Sequence, residues 1–188
     1  MTKAVFLDRD GTINQEVEYL DNLSDLSLIQ GVHEGIRTLN QADFMVVVIT
    51  NQSGVARGYF DEGFVDTVHR ELGKQLERAG ARVDKWYFCP HHPEAGRAPY
   101  RQICTCRKPA TGMLEQAVQE FDIDLTHSYM VGDSLSDLQT AWNAGISSIL
   151  VLTGHGRKTV AALSKAELQR IDYIAKDLLD ACRWITRG

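Results

Sequence analysis

Residues 4–12 read Ala-Val-Phe-Leu-Asp-Arg-Asp-Gly-Thr, an apolar run that stops abruptly on two carboxylates and a glycine. Four apolar residues bounded by a turn signal fit a strand buried on both faces of a parallel sheet, with Asp8 and Asp10 left at its carboxyl end. The same order recurs further on, where Tyr129-Met130-Val131 runs into Gly132-Asp133-Ser134-Leu135-Ser136-Asp137. Apolar, β-branched runs at 45–50 and 148–152 predict two more buried strands, and 86–88 and 172–175 are shorter candidates. Helix-period faces lie between them: Phe64, Val65, Val68, Leu72 and Leu76, then Met113, Leu114, Ala117, Val118 and Phe121, then Leu135, Leu138, Ala141 and Trp142. After about residue 163 the pattern reads helix, strand, helix. Alternating strands and helices predict right-handed βαβ units, with ligands bound in the crevice beyond the carboxyl ends of the strands.

The expected class is therefore α/β: a Rossmann-like, doubly wound, mainly parallel sheet with helices on both faces. A chain of 188 residues suits one domain, 1–188, and leaves no room between the first two strands for a large cap domain. Hydrophobic residues at 44% and charged ones at 24% are ordinary for a packed globular protein. The net charge of −5 argues against a broad basic surface, so neither nucleic acid nor an anionic membrane is an expected partner. No stretch approaches the 18 or so apolar residues of a membrane span. The expectation is a cytoplasmic monomer in a reducing compartment, where clustered cysteines serve a metal better than disulfides.

Either acidic pair alone would pass for ordinary turn and cap residues. If the two strands are neighbours, however, Asp8, Asp10, Asp133 and Asp137 converge, and so many carboxylates need a cation to stay ionised. An all-oxygen set favours Mg²⁺, completed by a substrate phosphate. Two other loops suit that phosphate. Thr50-Asn51-Gln52-Ser53-Gly54 follows the second strand with hydroxyls, amides and a helix start, and Arg107-Lys108-Pro109 brings two cations.

With those residues in that order, the chain resembles the haloacid dehalogenase superfamily of phosphohydrolases. Its four motifs match DRDGT at Asp8, Thr50, Lys108 and GDSLSD at Asp133. The resemblance implies that Asp8 is the nucleophile that becomes an aspartyl-phosphate and Asp10 the general acid and base. It also implies that Thr50 and Lys108 hold the phosphoryl oxygens. Mg²⁺ would bind Asp8, the backbone carbonyl of Asp10, and Asp133, with Asp137 behind them.

All four prolines and three of the four cysteines fall within 89–109, which predicts an irregular loop pinned by something other than backbone hydrogen bonds. Cys89-Pro90-His91-His92-Pro93 followed by Cys104-Thr105-Cys106 offers four ligands for a closed, structural Zn²⁺ site: Cys89, His91, Cys104 and Cys106, with His92 as the alternative imidazole. Anchoring Cys106 would anchor Arg107 and Lys108. Cys182, on the C-terminal helical pattern, reads as core.

With a short first connection, small loops must shape the substrate pocket. Glu16-Val17-Glu18-Tyr19 is a candidate flap whose Glu16 and Tyr19 can reach sugar hydroxyls. Within the superfamily, the zinc loop together with TNQSGVARG resembles the heptose bisphosphate 7-phosphatases. That resemblance implies a small sugar bisphosphate as substrate, met by Glu16, Tyr19, Thr50, Asn51, Gln52, Ser53, Arg107, Lys108 and Ser134. Ser134 departs from the lysine of some members. Arg107 suits the second, non-reacting phosphate, whereas the basic stretch Gly154-His155-Gly156-Arg157-Lys158-Thr159 reads as a surface loop outside the site. Competing readings are a histidinol-phosphate phosphatase, a non-catalytic phosphosugar-binding protein and, least compatible with the acidic balance, a DNA-end phosphatase.

Overall fold

The computed structural model describes residues 2–187. Six strands form one sheet: β1 (Ala4–Leu7), β2 (Met45–Asn51), β3 (Lys85–Cys89), β4 (Tyr129–Gly132), β5 (Ser147–Val151) and β6 (Tyr173–Ala175). Their order is β3-β2-β1-β4-β5-β6 and every pairing is parallel. The order reverses between β1 and β4, so the crevice such a sheet offers to ligands opens where Asp8 and Asp133 emerge.

Alternation along the strands sorts the core into two layers. Val5 and Leu7 of β1 face α1 (Val32–Gln41), α3 (Glu62–Arg78) and α8 (Leu178–Ile185), through Ile36, Leu72, Leu76 and Cys182 among others. Ala4 and Phe6 point the other way, onto α4 (Gly112–Phe121) and α5 (Leu135–Ala144), through Met113, Leu114 and Ala141. Shorter helices are α2 (Ser53–Arg57), α6 (Gly156–Ala162) and α7 (Lys165–Leu168). The residues between β1 and β2 are taken up by a loop, one 3₁₀ turn at Leu23–Asp25 and α1. All six expected strands form, with ends within a residue or two.

Two elements differ from the sequence reading. Helix α1 was not anticipated, although Val32, Ile36 and Leu39 are its buried face. The supposed loop at 154–159 turns into α6 from Gly156 onward; a side chain at Gly156 would overlap the Val151 carbonyl, so only glycine lets the chain turn this close to β5.

β1 and β4 are tied at their amino ends by buried Ser128, whose Oγ accepts from Ala4 N at 3.0 Å and donates to the Asp124 carbonyl at 2.6 Å. Ser128→Ala leaves that strand amide without a partner. It should cost about 1–3 kcal/mol of stability, read as a lower urea midpoint at unchanged m-value; an unmoved midpoint would show that the tie contributes nothing.

Candidate active site

The Asp8 amide still belongs to the sheet, donating to the Val131 carbonyl at 2.9 Å, so the carboxyl starts from rigid backbone. Lys108 Nζ reaches across to donate to Asp8 Oδ1 at 2.7 Å and to Asp137 Oδ1 at 2.6 Å. Asp133 completes a group in which one oxygen each of Asp8, Asp133 and Asp137 lie within 4.8 Å of one another. All four residues are buried or nearly so.

Each is held from a different element. Asn51, at the end of β2, clamps the Lys108 backbone from both sides: its Oδ1 accepts from Lys108 N at 3.0 Å and its Nδ2 donates to Lys108 O at 3.1 Å. Asp137, in the first turn of α5, accepts at Oδ2 from Ser134 N and Oγ, which caps the helix and leaves Oδ1 to Lys108. Asp133 Oδ2 accepts from the His155 amide at 2.7 Å. Gly11 (φ +77°) and Gly154 (φ +51°) close over that oxygen, and a side chain at either would overlap it.

Asp10 sits in a separate cradle. Its carboxylate accepts from Arg9 Nε and Nη2, from Asn14 Nδ2 at 2.9 Å and from Gln52 Nε2 at 2.8 Å; the same Gln52 nitrogen donates to Thr50 Oγ1 at 3.0 Å.

The two carboxyls of the first motif are pushed in opposite directions. Burial raises Asp8 to about 8; Lys108 opposes this, but Asp137 and Asp133 add to it. Burial acts on Asp10 too, yet Arg9, Asn14 and Gln52 together hold it below its ordinary value. Asp133 rises to about 7, by burial and then by Asp137. Burial disfavours the Lys108 charge, but Asp137 and Asp8 outweigh it and keep the ammonium protonated. One lysine among three carboxylates leaves a surplus of negative charge on oxygen donors, which fits a hard divalent cation such as Mg²⁺.

Of the site residues read from the sequence, Asp8, Asp10, Glu16, Tyr19, Thr50, Asn51, Gln52, Ser53, Lys108, Asp133 and Ser134 line one pocket. Asp137 lies beneath it. Arg107 is not among the lining residues: its Nη1 donates to the His91 carbonyl at 3.0 Å and braces the cysteine loop. Glu16 is raised to about 7 by burial and by the charges of Asp10 and Asp8.

The sequence reading missed Arg9, Asn14 and His155. Arg9 and Asn14 cradle Asp10, while His155 lines the pocket and steadies Asp133. His155 follows the carboxyl end of β5, a position the rule for ligand sites in such sheets would have flagged.

In the cysteine loop, Cys89, His91, Cys104 and Cys106 converge. Their sulfurs are 3.2–3.5 Å apart, and His91 Nδ1 is 3.7 Å from Cys89 and 3.4 Å from Cys106. A tetrahedron with Zn–S bonds of about 2.3 Å has edges of about 3.7 Å, so the donor set fits Zn²⁺ with little adjustment. His92 is turned away, its Nδ1 accepting from the amides of Glu94 and Ala95.

A family model described as HAD-hydrolase-like matches residues 105–181. The D-glycero-D-manno-heptose-1,7-bisphosphate 7-phosphatase of Thermosynechococcus vestitus is 46% identical over 186 residues, covering 97% of this chain and 94% of the relative. The corresponding β-anomer 7-phosphatase of Escherichia coli K12 is 43% identical over 152 residues, 80% of each chain. Among solved structures, the D,D-heptose 1,7-bisphosphate phosphatase of B. bronchiseptica, complexed with magnesium and phosphate, superposes with a TM-score of 0.86 at 36% identity over 99% of both chains.

The raised carboxyls set the pH dependence of the metal-free protein. In the unfolded chain Asp8 and Asp133 ionise near 3.8, whereas the folded chain holds their protons to about 8 and about 7. Between those limits the native state binds more protons, so stability falls as pH rises. Urea midpoints of metal-free protein should drop between about pH 5 and about pH 8, and Mg²⁺ should restore more stability at the higher pH. Equal Mg²⁺ effects at both would contradict the cluster's surplus charge.

Proposed function

The chain belongs to the heptose 1,7-bisphosphate 7-phosphatases of the haloacid-dehalogenase-like hydrolases, and on that premise we propose how its own residues remove the 7-phosphate of D-glycero-D-manno-heptose 1,7-bisphosphate. The observation that carries the reading is the Lys108 bridge between Asp8 and Asp137 beside Asp133. It holds Asp8 by Oδ1 and leaves Oδ2 to attack phosphorus. Mg²⁺, held by Asp8, Asp133 and the Asp10 carbonyl, would neutralise charge on the phosphoryl oxygens.

Lys108 and the Thr50 hydroxyl hold the transferring group from the other side. Attack by Asp8 forms the aspartyl-phosphate and breaks the bond to the sugar oxygen, which takes a proton from Asp10; Asp10 then accepts one from the water that hydrolyses the intermediate. Asp10 is ionised at rest. The incoming phosphate raises its proton affinity by like charge, so Asp10 takes up a proton from the phosphate monoanion or from solvent before it donates to the sugar oxygen. Glu16, Tyr19, Ser53 and Ser134 surround the sugar, Asn51 acts through its grip on the Lys108 backbone, and Arg107, outside the pocket lining, is assigned the distal phosphate.

The Zn²⁺ is structural, held by Cys89, His91, Cys104 and Cys106 with no coordination position left for water. The whole chain acts as one catalytic domain and as a monomer, serving nucleotide-activated heptose and lipopolysaccharide core biosynthesis. Three thiol ligands favour the reducing cytoplasm. Among the described residues no helix is long and apolar enough to cross a membrane. The presence of both Asp8 and Asp10 speaks against a binding protein without turnover.

Asp8→Asn should abolish phosphate release, and Asp10→Asn should lower kcat by about 10²–10⁴-fold, each with an unchanged circular dichroism spectrum; wild-type rates in either would remove it from the chemistry. The purified enzyme should prefer heptose bisphosphate to histidinol phosphate, and the reverse preference would overturn the substrate assignment. Stripping Zn²⁺ with a chelator, then replenishing Mg²⁺, should lower activity by freeing the loop that carries Lys108, and added Zn²⁺ should restore it; full activity in the zinc-free protein would disprove the anchoring role.

A further inference from the structure

Arg9 heads the large, fully buried side chains among the described residues, at 1% exposure. Its guanidinium uses every nitrogen. Nε and Nη2 lie on the Asp10 carboxylate, with Nη2 at 3.0 Å from Oδ1 and 2.9 Å from Oδ2, while Nη1 lies 3.4 Å from His69 Nε2. His69 projects from the middle of α3, on the same buried face as Val65, Val68 and Leu72. Its ring stacks on Trp86 of β3 at 4.9 Å and meets the edge of Phe88 at 5.9 Å. Burial first, and the Arg9 charge second, push its pKa down to about 3, so the ring is neutral. With its proton on Nδ1, a neutral imidazole presents the Nε2 lone pair to Arg9.

A leucine would fill this place in the core as well. What it would not supply is an acceptor for Nη1, which has no other among the described residues. A buried guanidinium with one donor orphaned turns to find a partner, and because Arg9 grips Asp10 by two nitrogens, the carboxylate turns with it.

We propose that His69 is a positioning residue for catalysis: it fixes the Arg9 guanidinium, and through it the Asp10 carboxylate, in the orientation that delivers a proton to the departing sugar oxygen. The inference rests on the acid–base role assigned to Asp10 above and extends the machinery to a histidine on a helix that lines no part of the pocket.

A misaimed acid slows departure of a poor leaving group far more than departure of one that needs no proton. The test is therefore kcat/KM, which reports steps up to departure, measured with heptose 1,7-bisphosphate and with p-nitrophenyl phosphate. His69→Leu should lower the first by roughly 10- to 100-fold, the scale of a small misplacement, and leave the second within about twofold, while His69→Gln, which keeps an acceptor, should recover most of the loss. Equal losses on both substrates, or none on either, would overturn the proposal. If His69→Leu does not fold, Arg9→Lys, which keeps the buried charge but not the three-way grip, should give the same split. Asp10→Asn is the comparator: a split there with none in the His69 and Arg9 variants defeats the positioning role, whereas no split in Asp10→Asn defeats the proton-donor reading itself.

Discussion

The Lys108 ammonium, buried between Asp8 and Asp137, is the contact on which the rest of the site depends. Removing such an ion from water costs several kcal/mol after relaxation, roughly, and the chain offsets that cost only by holding two carboxylates within hydrogen-bond distance at once. The consequence spreads outward. Asp137 must present one oxygen to the lysine while its other caps α5, and Asn51 must grip the lysine's backbone from the end of β2. The cysteine loop makes the same demand. Cys106 stands two residues before Lys108, and Arg107 between them bonds back to His91. A loop without regular secondary structure thus presents one charge beside four converging Cys and His side chains, its backbone held by one amide side chain bonded at both polar atoms rather than by a ladder.

Much of this was legible because strand ends carry their own punctuation. An apolar run cut off by Asp-x-Asp-Gly or Gly-Asp states both where a strand ends and what it delivers, and adjacency of β1 and β4 did the rest. Proline and cysteine crowding marked the loop equally well, and the fold brings Cys89, His91, Cys104 and Cys106 together there. Legibility failed where the signal was tertiary. Arg9 looked like the variable residue between two motif positions; that it is buried and turned onto its neighbour depends on α3, some sixty residues away. Asn51 reads as a substrate donor in a polar loop, and nothing local says that both its polar atoms are spent on Lys108. His155 sat in a stretch whose basic residues suggested surface, whereas its contribution to Asp133 comes from a backbone amide, which no side-chain pattern records. Helix α1 is the different case, where a three-residue apolar face was present but thin.

The first motif shows how one short segment supports two roles. Asp8 and Asp10 are two residues apart and both are taken out of water, yet their environments drive them apart: carboxylates crowd Asp8, and a guanidinium faces Asp10. Environments that separate two titratable neighbours are how nucleophile and acid–base roles are divided. Both carboxyls lie beyond the last residue of β1, where the chain leaves the strand and turns on the Arg9 carbonyl: Asp8 meets Lys108, whereas Asp10 meets Gln52 just past the end of β2. Arg9, the residue between them, then does more than space the motif. Its charge holds Asp10 down, and its burial makes that bias insensitive to solvent and salt. A lysine in its place would bring the same charge without the planar fork, so direction, and not charge alone, is what the buried arginine contributes to the site.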